Sequence, residues 1–219
     1  MTKLIIFDLD GTLLDTLEDI ANACNHALKQ CGHPTRELKE YNMLVGRGID
    51  NLFRGALPAE YRNEEMVRDM RSHFIPYYNG HKCDLTKPYP GILETLQSLA
   101  CKGVKFAVAS NKYQEGTEQL VRKYFNMFDF VKILGQREGK PIKPDPQIVF
   151  EAMEGMEDIR PDEVLYCGDS DVDMQTGLNA SVMTVGVTWG FRTREELEAH
   201  SPYAVIDNPE EILDIIQKI

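Results

Sequence analysis

Asp8 and Asp10 stand two residues apart in Asp8-Leu9-Asp10-Gly11-Thr12-Leu13-Leu14-Asp15-Thr16, directly after the apolar run Leu4 to Phe7. Side chains of an extended segment alternate, so positions i and i+2 face the same way. The two carboxylates therefore project together from the end of a segment whose other residues belong in a core. A close pair of acids can divide labour, one as nucleophile or metal ligand and the other as proton shuttle. Gly11 permits the tight turn that aims backbone amides at an anion. A solvated Asp-Gly turn has the same local spelling, so the weight falls on the segments downstream.

Three later segments share the pattern of reactive side chains after an apolar run. Ser110-Asn111-Lys112 follows Val104 to Ala109 and brings a hydroxyl to that strand's carboxyl end. Lys143 precedes Pro144, which keeps it extended, and Asp145-Pro146 reads as the start of a helix. Gly168-Asp169-Ser170-Asp171-Val172-Asp173 follows Val164 to Cys167 and crowds three acids together. Such crowding is repulsive unless something positive sits among them, and Mg²⁺ is the cation that favours carboxylate, carbonyl and water oxygens. Singly these are a turn, a surface charge and an acid-rich helix start. Four of them at four strand ends, in this order, make one reactive centre.

The elements that must carry these residues are legible from periodicity. Short β-branched and aromatic runs at Lys3 to Phe7, Val104 to Ala109, Val131 to Leu134, Val164 to Cys167 and Ser181 to Val187 predict five strands. Helical patterns fill the gaps at 92–100, 115–124, 145–154 and 171–179. Strands alternating with helices, and apolar throughout, predict an α/β fold: a doubly wound, parallel, five-stranded sheet. Residues 16–85 break the alternation. Leu17, Ile20, Ala21, Cys24, Ala27 and Leu28 form one helical stripe, with Thr16 and Asp19 as a capping pair, and Glu65 to Tyr78 forms another. The expected organisation is a catalytic core of residues 1–15 and 86–219, with 16–85 as an inserted helical cap placed where open α/β sheets bind ligands.

These segments resemble a known family. The Asp8–Thr16 segment, Ser110, Lys143 and the Gly168–Asp173 segment match the four motifs of the haloacid dehalogenase superfamily of phosphotransferases. Within it the chain is most similar to phosphoglycolate phosphatase-like members, through Val45-Gly46-Arg47-Gly48, Tyr89-Pro90-Gly91 and Gly186-Val187-Thr188-Trp189-Gly190. The resemblance implies a phosphoric monoester hydrolase in which Asp8 attacks phosphorus and Asp10 protonates the departing alkoxide, then activates water. It implies Mg²⁺ held by Asp8, Asp10 (through its main-chain carbonyl) and Asp169, with Asp173 and Thr12 supporting from behind. Ser110, Asn111 and Lys143 would bind the phosphoryl group, and Lys143 would also neutralise the nucleophile. Arg47, flanked by glycines in the cap, could read a carboxylate or second phosphate of the substrate. The substrate expected is a small phosphorylated metabolite, 2-phosphoglycolate first. A pyrophosphatase, nucleotidase or sugar-phosphate phosphomutase of the same superfamily stays open, as does a receiver-like phospho-acceptor module.

Composition narrows the partners. With 24 Lys+Arg against 35 Asp+Glu the formal net charge is −11, which argues against nucleic acid as a partner. It also repels anionic substrates, so a phosphate site needs a local metal or a placed cation. Leu4 to Phe7 is too short for a signal-peptide core or a membrane span. Five cysteines without a CxxC spacing fit a reduced compartment, so a cytoplasmic protein with no membrane partner is expected, as monomer or homodimer. Gly135–Pro141 falls short of a P-loop, and Gly46-Arg47-Gly48 lacks the third glycine of a dinucleotide fingerprint.

Overall fold

The computed structural model describes residues 2–218. Its centre is strand β1 (Leu4–Phe7), all four residues buried, which a run of Leu, Ile, Ile and Phe dictates. A short strand β2 (Leu14–Asp15) follows and pairs antiparallel with β3 (Lys87–Pro88), so the chain leaves and re-enters the sheet region through one small ribbon. The remaining strands are β4 (Lys105–Tyr113), β5 (Phe130–Gln136), β6 (Val164–Gly168), β7 (Met183–Val187) and β8 (Ala204–Ile206). They form a six-stranded sheet in the order β5-β4-β1-β6-β7-β8, with every pairing parallel.

The sheet thus has six strands rather than the five expected. The extra strand, β8, is a three-residue edge segment, Ala-Val-Ile, whose pairing with β7 exists only because the fold brings them together. A run that short carries no readable period. The alternation along β1 divides the core in two. Ile5 and Phe7 pack with Leu96, Leu99, Leu120 and Ile212 on one face, and Leu4 and Ile6 pack with Val149, Ala152 and Tyr166 on the other. Helices α5 (Ile92–Cys101), α6 (Gln114–Tyr124) and α10 (Glu211–Lys218) supply the first face, and α7 (Gln147–Met153) the second. Helices α8 (Asp171–Asn179) and α9 (Arg194–Glu198) complete the alternation. Both faces of the sheet are covered, which a doubly wound parallel sheet requires.

Between β2 and β3 lie α1 (Leu17–Gln30), α2 (Tyr41–Leu44), α3 (Ile49–Ala56) and α4 (Glu64–His81). They bury an apolar cluster drawn from residues 20–78, including Ile20, Cys24, Phe53, Met70, Phe74 and Tyr78. Thr16 is at the N-cap of α1, but its side chain does not cap the helix. Its hydroxyl donates to Asp10 Oδ1 at 2.8 Å instead. Asp19 accepts from the Leu85 and Thr86 amides and from the Thr86 hydroxyl, at 2.8–3.2 Å, fastening the start of α1 to the chain entering β3. The expected capping pair is therefore replaced by two long-range contacts that a local spacing rule cannot see. Among the described residues no helix is long and apolar enough to cross a membrane.

Candidate active site

The β1 ladder continues one residue past the strand, because the Asp8 amide donates to the Cys167 carbonyl at 2.9 Å. Asp8 is thereby fixed at the carboxyl end of the central strand. Its Oδ1 accepts from the Leu9 amide at 2.7 Å and lies 3.0 Å from Lys143 Nζ, while Oδ2 has no protein donor among the described residues. Burial pushes the Asp8 carboxyl up to about 7; Lys143 works against that shift, and Asp173 and Asp10 add to it. An oxygen left without a donor, on an acid fixed by backbone, is what a nucleophile or metal ligand requires.

Asp169 enters from the end of β6. Its Oδ1 accepts from the Thr12 hydroxyl at 3.1 Å and its Oδ2 from the Phe191 amide at 2.8 Å. Burial, then the neighbouring Asp173 and Asp8, drive its carboxyl well above the ordinary range. The approach is so close that only glycine fits on two sides. A Cβ at Gly11, whose φ is +87°, would stand 2.3 Å from Asp169 Oδ2, and one at Gly190 would stand 2.3 Å from Asp169 Cβ. Trp189 Nε1 donates to the Thr12 carbonyl at 3.0 Å and pins the same turn.

Lys143 is enclosed on all sides. Its Nζ lies 2.7 Å from Asp173 Oδ1, 2.9 Å from the Ala109 carbonyl, 3.0 Å from Asp8 and 3.1 Å from the Tyr166 hydroxyl. Burial works to lower its pKa, but Asp173 and Asp8 outweigh it and hold the ammonium charged. Asp173 is saturated by Lys143, Tyr166 and the Ser170 hydroxyl and amide. It orients the lysine and has little capacity left for a metal.

Asp8, Asp169 and Asp173 offer oxygens within 4.8 Å of one another. Three carboxylates against the one Lys143 ammonium leave two negative charges uncompensated when all are ionised. An all-oxygen donor set with that deficit fits a hard divalent cation, Mg²⁺ above all. Asp8 and Asp169 have the capacity to hold it.

Asp10 is engaged differently. Lys112 Nζ donates to both of its oxygens at 2.9 Å, and Thr16 adds a third hydrogen bond. The Lys112 side chain is 5% exposed, and its ammonium lies 4.9 Å from the centroid of the Tyr78 ring. The sequence pattern assigns Lys112 no role, because the apolar run that predicts the strand ends at Ala109. The strand in fact runs through Tyr113, with an irregular register after Ala109 that sets Ser110 and Lys112 into the site.

A cleft of ≈ 500 Å³ lies over these groups. Asp8, Asp10, Ser110 and Lys112 line one side, and Ile20, Ile49, Leu52 and Phe74 from the helical segment line the other. Ser110 is buried, and its hydroxyl accepts from the Lys112 amide at 3.3 Å. Asn111, expected among the phosphate contacts, spends its carboxamide elsewhere. It donates to the Gly46 and Lys143 carbonyls and accepts from the Lys143 amide, because an amide can satisfy two neighbouring backbones at once. Arg47 is not in the cleft lining among the described residues; its guanidinium pairs with Asp171 at 2.5 Å. Arg192, which the sequence did not single out, is buried and donates to the Asn42, Met43 and Val45 carbonyls at the end of α2.

Comparison with known proteins agrees with this geometry. The sequence profile of the haloacid dehalogenase-like hydrolases matches residues 5–187. The phosphoglycolate phosphatase of Vibrio vulnificus strain YJ016 is 33% identical over 221 residues, covering 98% of this chain and 96% of that protein. The phosphoglycolate phosphatase of Aquifex aeolicus is 31% identical over 216 residues, with the same coverage. A crystal structure from Lactobacillus delbrueckii subsp. bulgaricus, provisionally named a phosphoglycolate phosphatase, superposes with a TM-score of 0.90 at 32% identity and covers 98% of each chain. With a buried aspartate at the end of the central strand, its companion acids and lysine at neighbouring strand ends, and these relatives along its whole length, the chain belongs to the haloacid dehalogenase-like hydrolases.

Proposed function

We infer that the protein is a Mg²⁺-dependent phosphatase of a small phosphate monoester, with 2-phosphoglycolate the first candidate, acting through an aspartyl-phosphate on Asp8. The observation that carries this reading is the Asp8 carboxylate, one oxygen without a protein donor, 3.0 Å from the buried Lys143 ammonium at the floor of the cleft. The full-length relatives named phosphoglycolate phosphatase support the substrate class. Residues 16–85 act as a cap domain over the core of 1–15 and 86–219, and the small ribbon of β2 and β3 is its hinge.

Asp8 and Asp169, with the Asp10 main-chain carbonyl, would hold Mg²⁺, which supplies neutralisation of the phosphoryl oxygens and the nucleophile when bound. Asp8 attacks phosphorus in line, forming a P–O bond as the ester P–O bond breaks. Asp10, protonated on the one oxygen that it turns away from Lys112, delivers that proton to the departing oxygen and regains one from the water that cleaves the acyl phosphate. Lys143 offsets charge on Asp8 and the phosphoryl group, and Ser110 donates its hydroxyl to a phosphoryl oxygen. Asp173 and Tyr166 hold Lys143 in place, and Thr12 holds Asp169. Arg47 would touch the substrate only by leaving its pair with Asp171. A cytoplasmic location fits the cysteine pattern and the phosphorylated substrate.

The test is phosphate release from a panel of monoesters with and without Mg²⁺, with Asp8→Asn as control. Release that requires both Mg²⁺ and Asp8 is expected. Release that persists in the variant would refute the assignment of the nucleophile.

A further inference from the structure

We propose that Lys112 is the residue that selects phosphate esters carrying a second anionic group close to the ester oxygen, by bonding that group while it stays paired with Asp10. The inference rests on the phosphatase reading and adds to it the determinant of substrate choice.

Beyond the floor the cleft is lined by Ile20, Ile49, Leu52 and Phe74, with Tyr78, Tyr113 and Asn111 as uncharged polar side chains. Burying a carboxylate against such a wall without a partner costs several kcal/mol, enough to exclude it. Among the described residues Lys112 is the one basic side chain in the lining, since Arg47 is engaged with Asp171 and Lys143 lies beneath Asp8. Among the described lining residues the cleft therefore offers a second anion one cationic partner, Lys112.

The chemistry of the ammonium suits this use. Lysine has three N–H donors, and two are spent on Asp10 Oδ1 and Oδ2. One donor stays available without breaking the pair. The face of Tyr78, 4.9 Å away, holds the charge in the cleft. Geometry also sets the reach. In the proposed reaction Asp10 protonates the ester oxygen, and Lys112 Nζ stands 2.9 Å from both Asp10 carboxylate oxygens. A second anion close to the ester oxygen therefore falls near Nζ, and one at the end of a long chain does not. Short phosphorylated hydroxyacids are the class selected. A neutral ester of the same length leaves the donor unsatisfied in an apolar cleft and is discriminated against.

The experiment compares 2-phosphoglycolate with 2-hydroxyethyl phosphate, its uncharged counterpart, in the full-length Mg²⁺-loaded protein. In parallel, 3-phosphonopropionate is compared with propylphosphonate as an inhibitor pair that reads binding alone. Wild type should favour the carboxylate member of both pairs. Lys112→Met and Lys112→Gln should each reduce that preference by about 10- to 100-fold, the worth of a hydrogen bond to a charged group. Lys112→Arg should keep most of it. The ratio within one variant cancels any general change in rate, and two variants guard against one that fails to fold. A preference that persists in Lys112→Met and Lys112→Gln, or that disappears in Arg47→Ala instead, overturns the proposal and leaves the phosphatase reading standing. A wild type that releases phosphate from neither ester, but does so from other monoesters of the panel, overturns the proposal and 2-phosphoglycolate as substrate; release from no monoester overturns the phosphatase reading as well.

Discussion

The two halves of the cleft are built on opposite terms. On the sheet side, Asp8, Asp169, Asp173 and Lys143 are buried, held by backbone amides and by each other, and confined by glycines that no larger residue could replace. On the helical side, the polar ties to the core include the half-exposed Arg47–Asp171 pair, the Asn79–Tyr113 and Asn111–Gly46 bonds and the buried Arg192 fan onto the end of α2. Buried, saturated networks have one geometry and large penalties for change. Surface pairs contribute little and re-form readily. Catalytic groups have to be aligned before substrate arrives, whereas a wall that admits and releases it must be able to move. On the proposed function the contrast between the halves separates catalysis from admission of substrate, and each half should fail differently when disturbed.

The sharpest break comes at the sheet side. Asp8→Asn keeps the shape but removes the nucleophilic charge, and phosphate release should fall by at least about 10⁴-fold. Lys143→Met comes next. It leaves Asp8 and Asp173 buried without their cation, so activity should drop about 10²- to 10³-fold and stability by roughly 3–5 kcal/mol, read by kinetics and denaturant titration. A rate loss without a stability loss would show that the network is less rigid than its hydrogen bonds imply.

Protons and metal should compete for the same acids. Asp8 is raised from 3.8 to about 7 by burial, and Asp169 is raised as well. A folded value above the unfolded one contributes stability that is complete below 3.8 and is lost as pH climbs through about 7. The metal-free protein should therefore lose stability across that window. Mg²⁺ should restore it, so that the rise in Tm on adding Mg²⁺ grows between about pH 5.5 and about pH 8. A gain in Tm that does not depend on pH would remove these acids from the metal site.

At the helical side the expected effects are smaller. Arg192→Met removes the donors to the Asn42, Met43 and Val45 carbonyls. It should cost about 1–3 kcal/mol, seen as faster hydrogen exchange over residues 41–49 with little change around Asp8. Arg47→Ala breaks a half-exposed pair worth at most about 1 kcal/mol. It should shift KM for an acidic ester and for an aryl phosphate alike, several-fold at most, because Lys112 reads the second anion. A loss confined to the acidic ester would make Arg47 the reader instead and blur the contrast between the two halves.

Much of the sheet side is legible in the sequence, because its signals are short-range. An apolar run ending in Asp8 and Asp10 has the same meaning wherever it occurs, and buried strands with reactive residues at their ends can be found by eye. The helical insertion is legible for the same reason, since a long gap without strands shows in the periodicity. Other contacts are not. Thr16 and Asp19 spell a capping pair, yet each is drawn to a distant partner, Asp10 and the Leu85–Thr86 backbone, once the ribbon forms. Asn111 spells a phosphate ligand, but two backbone segments reach its amide first.

The identity of the proposed reacting groups was thus set by residue type and by position along the strand, properties that the chain carries before it folds. Which of those groups are paired, and which keep an oxygen or a proton donor to offer, was decided only in three dimensions. Lys112 on Asp10 and Arg47 on Asp171 join residues 102 and 124 positions apart. Charge pairing depends on distance through space, and for residues this far apart along the chain that distance is set by the fold alone.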